Sequence, residues 1–469
     1  MRASALFAIC AAALPAQAAP DEAPDPVPLL QQYIRLDTSN PPGREALAAS
    51  FFRDLLAAHG IAATIIPVGG PDSGRANVLA RLASTGQRAA RSALLLFNHM
   101  DVVAADPSRW KAAPFGGELR DGHVYGRGAL DMKTTGLLQA LALIRLKREA
   151  VPLARDVIFL GTADEEDGNI GMLWMMEHHS ELLEGVELAL TEGDNIELAP
   201  SQAGPVVRAW GVDVGEKMAA WLKLTAYGVA GHASVPTGDD NPVVRLVHAL
   251  DRISRHETPI KVLPVVQEYY SALAGSFSDL PAGKLRSLAA SLREDAVFRE
   301  AFLKDAGRAA SVRNTISITV LHGGPQTNVI PSTATAHLDC RLLPGEDPAA
   351  FIGEIRRLVN DPNITVEPLG DHGRPATTSG TQTALFRAIQ ETAARFDPGA
   401  PVVPTVLTSW TESSLLRPLG IHSYGFEPYA LDDREVSLSH GDDERVSVEN
   451  IRRGFEILYA VVRHAATSR

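Results

Sequence analysis

Residues 156–168 read DVIFLGTADEEDG. The first six are almost continuously apolar, the pattern of a strand buried on both faces in a helix-covered sheet. The stretch then sets Asp164, Glu165, Glu166 and Asp167 side by side. Like charges at the end of a buried strand repel one another, so the segment needs positive charge that it does not supply itself. The arrangement recurs. ALLLF (93–97) runs into NHMD, with His99 and Asp101, and VELALT (186–191) runs into EGD, with Glu192 and Asp194. NVLARL (77–82) reads as a further strand, while 43–60 and 132–150 carry helical periodicity, the former stopping at Gly60. This alternation predicts an α/β fold with a mixed, parallel-rich sheet covered by helices. Ligand sites in such sheets lie at the carboxyl ends of the strands, so the acidic and imidazole groups should converge in one crevice.

From Met218 the pattern changes. AAWLKLTAYG, NTISITVLHG and TATAHLDCRLL alternate like strands with one exposed face, and 241–254 and PAAFIGEIRRLV read as helices. A charged helical region lies between them, at about 260–312. The expected organisation is a catalytic domain in two parts, 26–217 and 370–469, interrupted by an α+β dimerisation (lid) domain at 218–369. IHSYGF (421–426) returns as a buried strand, and 447–465 as a closing amphipathic helix.

The chain has 469 residues, 45% of them hydrophobic, and a formal net charge of −12. That balance argues against a nucleic-acid surface, which needs a basic patch. Residues 1–18 carry Arg2, a short apolar run and an Ala-Gln-Ala site, the signature of a secretory signal peptide cut after Ala18. The run is too short to span a bilayer. The expected location is therefore exported, periplasmic or secreted. Cys340 is then the one cysteine left, so no internal disulfide can form.

Two histidines and several carboxylates at strand and helix ends suit a pair of zinc ions, for which imidazole and carboxylate are ordinary ligands. His99, Glu165, Glu166 and Glu192 follow strands, Asp131 precedes the 132–150 helix, and His440 precedes the last helix. Two cations would also hold the crowded carboxylates ionised.

With these residues go HMDVV (99–103), YGRGALDMK (125–133), ADEEDGNIG (163–171), GVAGHASVP (228–236), NVIPSTATAHLDCRLLPG (328–345) and SHGDDERVSVE (439–449). In order and spacing the chain resembles the two-zinc aminoacylase and carboxypeptidase family, which includes aminoacylase-1, bacterial glutamate carboxypeptidase, acetylornithine deacetylase and succinyl-diaminopimelate desuccinylase. The resemblance implies two Zn²⁺ per subunit, with Co²⁺ or Mn²⁺ as substitutes. It gives His99 to one metal and His440 to the other, makes Asp131 the bridge, and completes the sites with Glu166 and Glu192. It sets Asp101 behind His99 to accept its second N–H, and makes Glu165 the general base. It implies a cis peptide between Asp131 and Met132. It sends His232 into a partner's site in a homodimer, and gives Asn328 and Arg341 to the substrate's carboxylate or backbone. One departure is Glu412, in SWTESS, where an Asp is usual.

The implied activity is zinc-dependent hydrolysis of an amide or peptide bond next to a free carboxylate. Export favours a carboxypeptidase or dipeptidase, with an N-acyl-amino-acid hydrolase (aminoacylase) as the alternative. A non-catalytic binding protein on the same fold is a remote alternative, because no expected ligand or base position is lost. The expected partners are a small-molecule or short-peptide substrate and a second copy of the chain, with neither nucleic acid nor membrane. G-x-S-x-G and H-E-x-x-H are both absent from the sequence, which argues against a serine hydrolase and a single-zinc protease.

Overall fold

A computed structural model describes residues 24–70, 73–85, 93–202, 204–370 and 376–468. The expected signal peptide and its cleavage site lie outside them. In chain order the strands used below are β1 (Ala63–Pro67), β2 (Ala76–Leu82), β3 (Ala93–His99), β4 (Val157–Thr162), β5 (Val186–Ala199), β6 (Val206–Glu216), β7 (Leu222–Tyr227), β8 (Thr315–His322), β9 (Thr333–Leu342), β10 (Ile364–Pro368), β11 (Val402–Leu407) and β12 (His422–Leu431). The helices are α1 (Glu45–Ala58), α2 (Lys133–Arg148), α3 (Ile170–His178), α4 (Pro242–Ser254), α5 (Pro348–Val359), α6 (Ala384–Phe396) and α7 (Val448–Thr467).

The main sheet has eight strands in the order β11-β6-β12-β5-β3-β4-β2-β1. Its centre, β12-β5-β3-β4, is parallel, and β2 and β1 continue it antiparallel. This is the expected mixed α/β fold. The apolar runs of β3 and β4 face two cores at once, because side chains alternate across a strand. Leu94, Leu96, Val157 and Phe159 enter the large cluster shared with α1, α2, α6 and α7. Leu95, Phe97, Ile158 and Leu160 enter a second cluster with Met172 and Met175 of α3 and Leu416.

A second, antiparallel sheet is built from β9, β7 and β10, with β8 and the short strand Met218–Ala219 paired to β9. Helices α4 and α5 cover one face through Leu246, Leu250, Phe351 and Ile355. The charged region at about 260–312 is five short helices with a core of its own around Tyr270, Leu285, Phe298 and Phe302. It leans on the edge of the main sheet through Leu273, Ala209 and Val403.

Strand β5 does not end at residue 191 as its apolar run suggests but continues to Ala199. Opposite it, Gly425 pairs with Thr191 and Phe426 with Asp194, so Glu192 and Gly193 form a bulge. A bulge re-aims a side chain at a strand end, and here it turns Glu192 into the crevice. Gly425 makes the close approach feasible. A Cβ there would lie 2.5 Å from the Glu192 carbonyl oxygen and 2.9 Å from Gly193 Cα. Gly425→Ala is therefore expected to lower the thermal midpoint by several degrees, an overpacking cost of about 1–3 kcal/mol. It should also reduce metal content by displacing Glu192. Metal content and midpoint equal to the unaltered protein's would contradict this account of the bulge.

Candidate metal centre

The crevice at the carboxyl ends of β3, β4 and β5 gathers the six side chains expected there. His99 Nε2 lies 3.0 Å from Asp131 Oδ1 and 3.3 Å from Glu192 Oε2. His440 Nε2 lies 3.0 Å from Asp131 Oδ2 and 3.0 Å from Glu166 Oε2. Asp131 therefore faces each imidazole with a different oxygen, the disposition a bridging carboxylate needs. Glu165 stands with His99 and Glu192 in a group whose donor atoms lie within 4.8 Å of one another. The Asp131–Met132 peptide is cis, as expected.

The electrostatics of the cluster call for cations. Hydrogen bonds to Asp131 and Glu166 raise the His440 imidazole to about 10. Burial pushes Glu192 up to about 7, and burial with the neighbouring Glu192 charge takes Glu165 well above the ordinary carboxyl range. Burial opposes the Asp131 charge, but hydrogen bonds from His440 and His99 hold its carboxyl below the ordinary range. Two imidazoles, three carboxylates and a fourth carboxylate beside them are a donor set that fits such a pair.

Asp101 differs from expectation. The N–H of His99 Nδ1 meets the main-chain carbonyl of Asp101 at 3.0 Å, while the carboxylate is 3.6 Å away. The carboxylate instead accepts the backbone N–H groups of Glu165 and Glu166, both at 3.1 Å, and Asn40 Nδ2 at 2.9 Å. The tight strand end puts the Asp101 carbonyl nearer the imidazole and leaves the side chain free to hold the acidic turn. Asn40 also donates to Asp164 at 2.8 Å, and Arg75 reaches Asn40 at 2.8 Å, Asp164 at 2.5 Å and Glu45 at 3.0 Å. Asp164 is therefore a buried, paired residue at a positive φ of 67°. Asn77 holds both ends of the turn, accepting from Ala163 N at 3.0 Å and donating to the Gly171 carbonyl at 2.8 Å.

A second frame lies below Asp131 and His440. The buried Glu444 carboxylate accepts Arg127 Nη1 at 2.7 Å and the backbone N–H groups of Gly128, Leu130 and Asp131 at 3.0, 2.7 and 3.2 Å. Arg127 Nη2 donates to the His440 carbonyl at 3.2 Å. Arg127 and Glu444 stand inside the quoted motifs, but sequence reasoning gave them no role. Arg75 had no signal at all.

Above the cluster opens a cleft of about 1070 Å³. Arg341 lines it and is its one Arg or Lys among the described residues. The guanidinium is held by Asp339 at 2.7 and 3.1 Å and lies 5.8 Å from the Trp221 ring centroid. Glu427, also missed from sequence, lines the cleft and accepts from Thr135 Oγ1 at 3.2 Å. Glu412 does not face the cleft. It is buried behind it, 2.7 Å from Thr162 Oγ1, while its neighbours Trp410 and Thr411 form the wall. His232 and Asn328 are not brought to this cleft. They sit together on the inserted domain, where β-pairing joins 231–232 to 329–330 and the Asn328 carbonyl accepts from Ala233 N at 3.0 Å.

Two imidazoles and four carboxylates gathered in one crevice beside the main sheet are the make-up of a metallohydrolase centre. The chain matches the profile of Peptidase family M20/M25/M40 over residues 95–464 and belongs to that family. It is 30% identical over 383 residues to the Xenopus tropicalis N-fatty-acyl-amino acid synthase/hydrolase PM20D1, covering 80% of this chain and 72% of the relative. It is 24% identical over 442 residues to human aminoacylase-1, covering 93% and 94%. Among solved structures, the M20 family metallo-carboxypeptidase of Sulfolobus solfataricus superposes with a TM-score of 0.70 at 18% identity, over 94% of this chain and 99% of that one.

Metal uptake should release protons. At neutral pH the metal-free centre holds a proton on His440, raised to about 10, and part of one on Glu192, raised to about 7. Metal binding needs both deprotonated, so affinity falls as pH drops. Calorimetric titration in two buffers of different ionisation heat should give different apparent enthalpies. Equal enthalpies would contradict the charge assignment.

Proposed function

We propose that this protein hydrolyses the amide bond of N-acyl amino acids that keep a free carboxylate, using two metal ions. The observation that carries the reading is Arg341, the one Arg or Lys among the described residues of a cleft whose floor is the acidic and imidazole cluster. His99, Asp131 and Glu192 would hold one ion, and His440, Asp131 and Glu166 the other, with zinc as the expected metal. The likeness to an N-fatty-acyl-amino acid hydrolase and to aminoacylase-1 over most of the chain moves the preference from carboxypeptidase to deacylase. Cleavage of peptide C-termini uses the same carboxylate anchor.

When bound, the metal pair supplies Lewis acidity that lowers the pKa of a shared water toward about 7. Glu165 is not needed in either donor set. Its carboxylate is left to take a proton from the attacking water and return it to the departing amine. Asp101 holds the turn that carries Glu165 and Glu166 by accepting both of their backbone N–H groups. Asp339 fixes Arg341 through Nε and Nη2, which leaves Nη1 for the substrate carboxylate. His232 and Asn328, exposed together on the inserted domain, are assigned to the partner's site in a homodimer. Export through residues 1–18 belongs to the same proposal.

Glu165→Gln should reduce kcat by at least about a hundredfold with metal content unchanged, measured by hydrolysis rate and elemental analysis. Activity within a few-fold of the original would remove Glu165 from the role. The same assay with carboxamide-blocked substrates should show a large loss in kcat/KM, and equal rates would remove Arg341 as anchor.

Mixing two variants tests the partner contribution. Glu165→Gln and His232→Ala homodimers should each be nearly inactive. After subunit exchange, mixed dimers carry one complete site, so activity should return to about a quarter of the original. No recovery in a mixture shown to contain heterodimers would place His232 outside the partner's site.

A further inference from the structure

We infer that Glu412 is a positioning residue that works as an un-ionised acid, giving its own hydrogen to Thr162 and so tying the cleft wall after β11 to the strand end that leads into Glu165. Its kinetic consequence rests on the hydrolase reading above. The state of its proton does not.

Glu412 is 2% exposed. Its Oε2 lies 2.7 Å from Thr162 Oγ1, and that hydroxyl also lies 3.0 Å from the Asn98 carbonyl oxygen. A hydroxyl carries one hydrogen, and a carbonyl oxygen can only accept. Both contacts are hydrogen bonds at once only when Thr162 donates to Asn98 and Glu412 donates to Thr162. The other oxygen, Oε1, is buried with no hydrogen-bond partner among the described residues. An ionised carboxylate would place charge on that bare oxygen. A neutral acid leaves a carbonyl oxygen there, which costs far less to bury.

The other buried acids of the cleft loops are arranged differently. Asp101 accepts the N–H groups of Glu165 and Glu166, and Glu444 accepts three N–H groups and faces Arg127. Glu216 accepts the N–H and the hydroxyl of Thr411 and faces Arg417. Glu412 meets no backbone N–H, Arg or Lys within hydrogen-bond distance among the described residues. The charged groups that face it are His99 and Asp101 at the end of β3, Glu192 on β5 and Glu165 in the turn after β4, and all but His99 are acids. Burial among them raises its carboxyl to about 8.

Thr162 ends β4 three residues before Glu165, and Asn98 directly precedes His99. Glu412 directly follows Trp410 and Thr411, which line the cleft. The chain from Glu412 through Thr162 to Asn98 therefore joins that wall to the ends of β3 and β4. Loss of the Glu412 proton would turn the Thr162 hydrogen away from Asn98 and leave an unpaired charge near Glu165. The chain is intact below pH of about 8 and opens above it.

The test uses the metal-loaded protein. Infrared difference spectra near neutral pH, unaltered protein against Glu412→Gln, should show the carbonyl band of a protonated carboxylic acid lost in the variant. Thr162→Val removes the acceptor and should shift that band. The unaltered protein should lose kcat/KM as pH rises through about 8, and Glu412→Gln, whose amide N–H replaces the acid O–H, should keep its activity across that range. Glu412→Leu, with no donor, should lower kcat by about tenfold with KM little changed. Circular dichroism checks that each variant is folded. Loss of an ionised-carboxylate band in place of the acid band refutes the proposal, as does a Gln variant that falls as far as the Leu variant or keeps the alkaline loss. If Glu412→Gln does not fold, the Thr162→Val spectrum decides, and an unshifted acid band overturns the donor role. If Glu165→Gln proves active, the base assignment falls while the infrared result still decides the proton on Glu412.

Discussion

The carboxylate of Asp101, accepting the N–H groups of Glu165 and Glu166, is the interaction on which the centre depends. Two successive peptide groups are fixed to one buried anion, so the turn that carries both side chains is held in place. Glu165 reaches His99 and Glu192, and Glu166 reaches His440 while also grouping with His99 and Asp131. A buried carboxylate without partners would be expensive. Asp101 is satisfied by these two N–H groups and by Asn40, and hydrogen bonds to an ionised acceptor contribute about 1.5–3 kcal/mol each. Arg75 supplies the positive charge beneath, reaching Asn40 and Asp164 together. The acidic turn is thus compensated from below by the protein, leaving its upper face open to metal.

The same device recurs at two other cleft loops. Glu444 accepts three consecutive-loop N–H groups below Asp131 and is neutralised by Arg127. Glu216, at the end of β6, accepts the N–H and the hydroxyl of Thr411, each at 2.8 Å, and is neutralised by Arg417 at 2.6 Å. In each case a buried anion that does not face the substrate holds a loop that does. Loops carry function where a rigid scaffold positions them, and here the scaffold acts through carboxylates on main-chain N–H groups. Removing one partner of such a pair leaves an uncompensated buried charge and costs about 3–5 kcal/mol.

Much of this was legible in the chain. The two-faced burial of β3 and β4 follows from their continuous apolar runs. The gathering of His99, Glu165 and Glu166 follows from their places at strand ends. Strands β6 and β11 were not legible. VVRAWGVDVGE mixes Arg208, Asp213 and two glycines into a strand, and PVVPTVL carries Pro404, a residue that demotes a strand by propensity. Both hold because they lie at the sheet's flank against each other and against Leu273 of the helical segment. The Glu192 bulge was hidden because it depends on Gly425, far away in sequence. The family resemblance makes the Asp101 carboxylate the partner of the His99 imidazole. Which atom of Asp101 wins is decided by the turn of the backbone, which spacing does not encode.

The cleft divides its work between two cores. The metal cluster and the cleft wall after β11 rest on the main sheet and its satellite cluster of Met172, Met175 and Leu416. Arg341 rests on β9, over the core of the inserted domain. The junction between them is short and pinned. Lys217, next after β6, is buried and donates to the Ala310 and Arg313 carbonyls and to Thr315 Oγ1 at 3.1, 2.9 and 3.2 Å. That lysine ties the junction to the end of the helical segment and the start of β8, so Arg341 is set at a fixed place relative to the acidic floor. The amide-cleaving geometry is thereby specified by strands and buried anions.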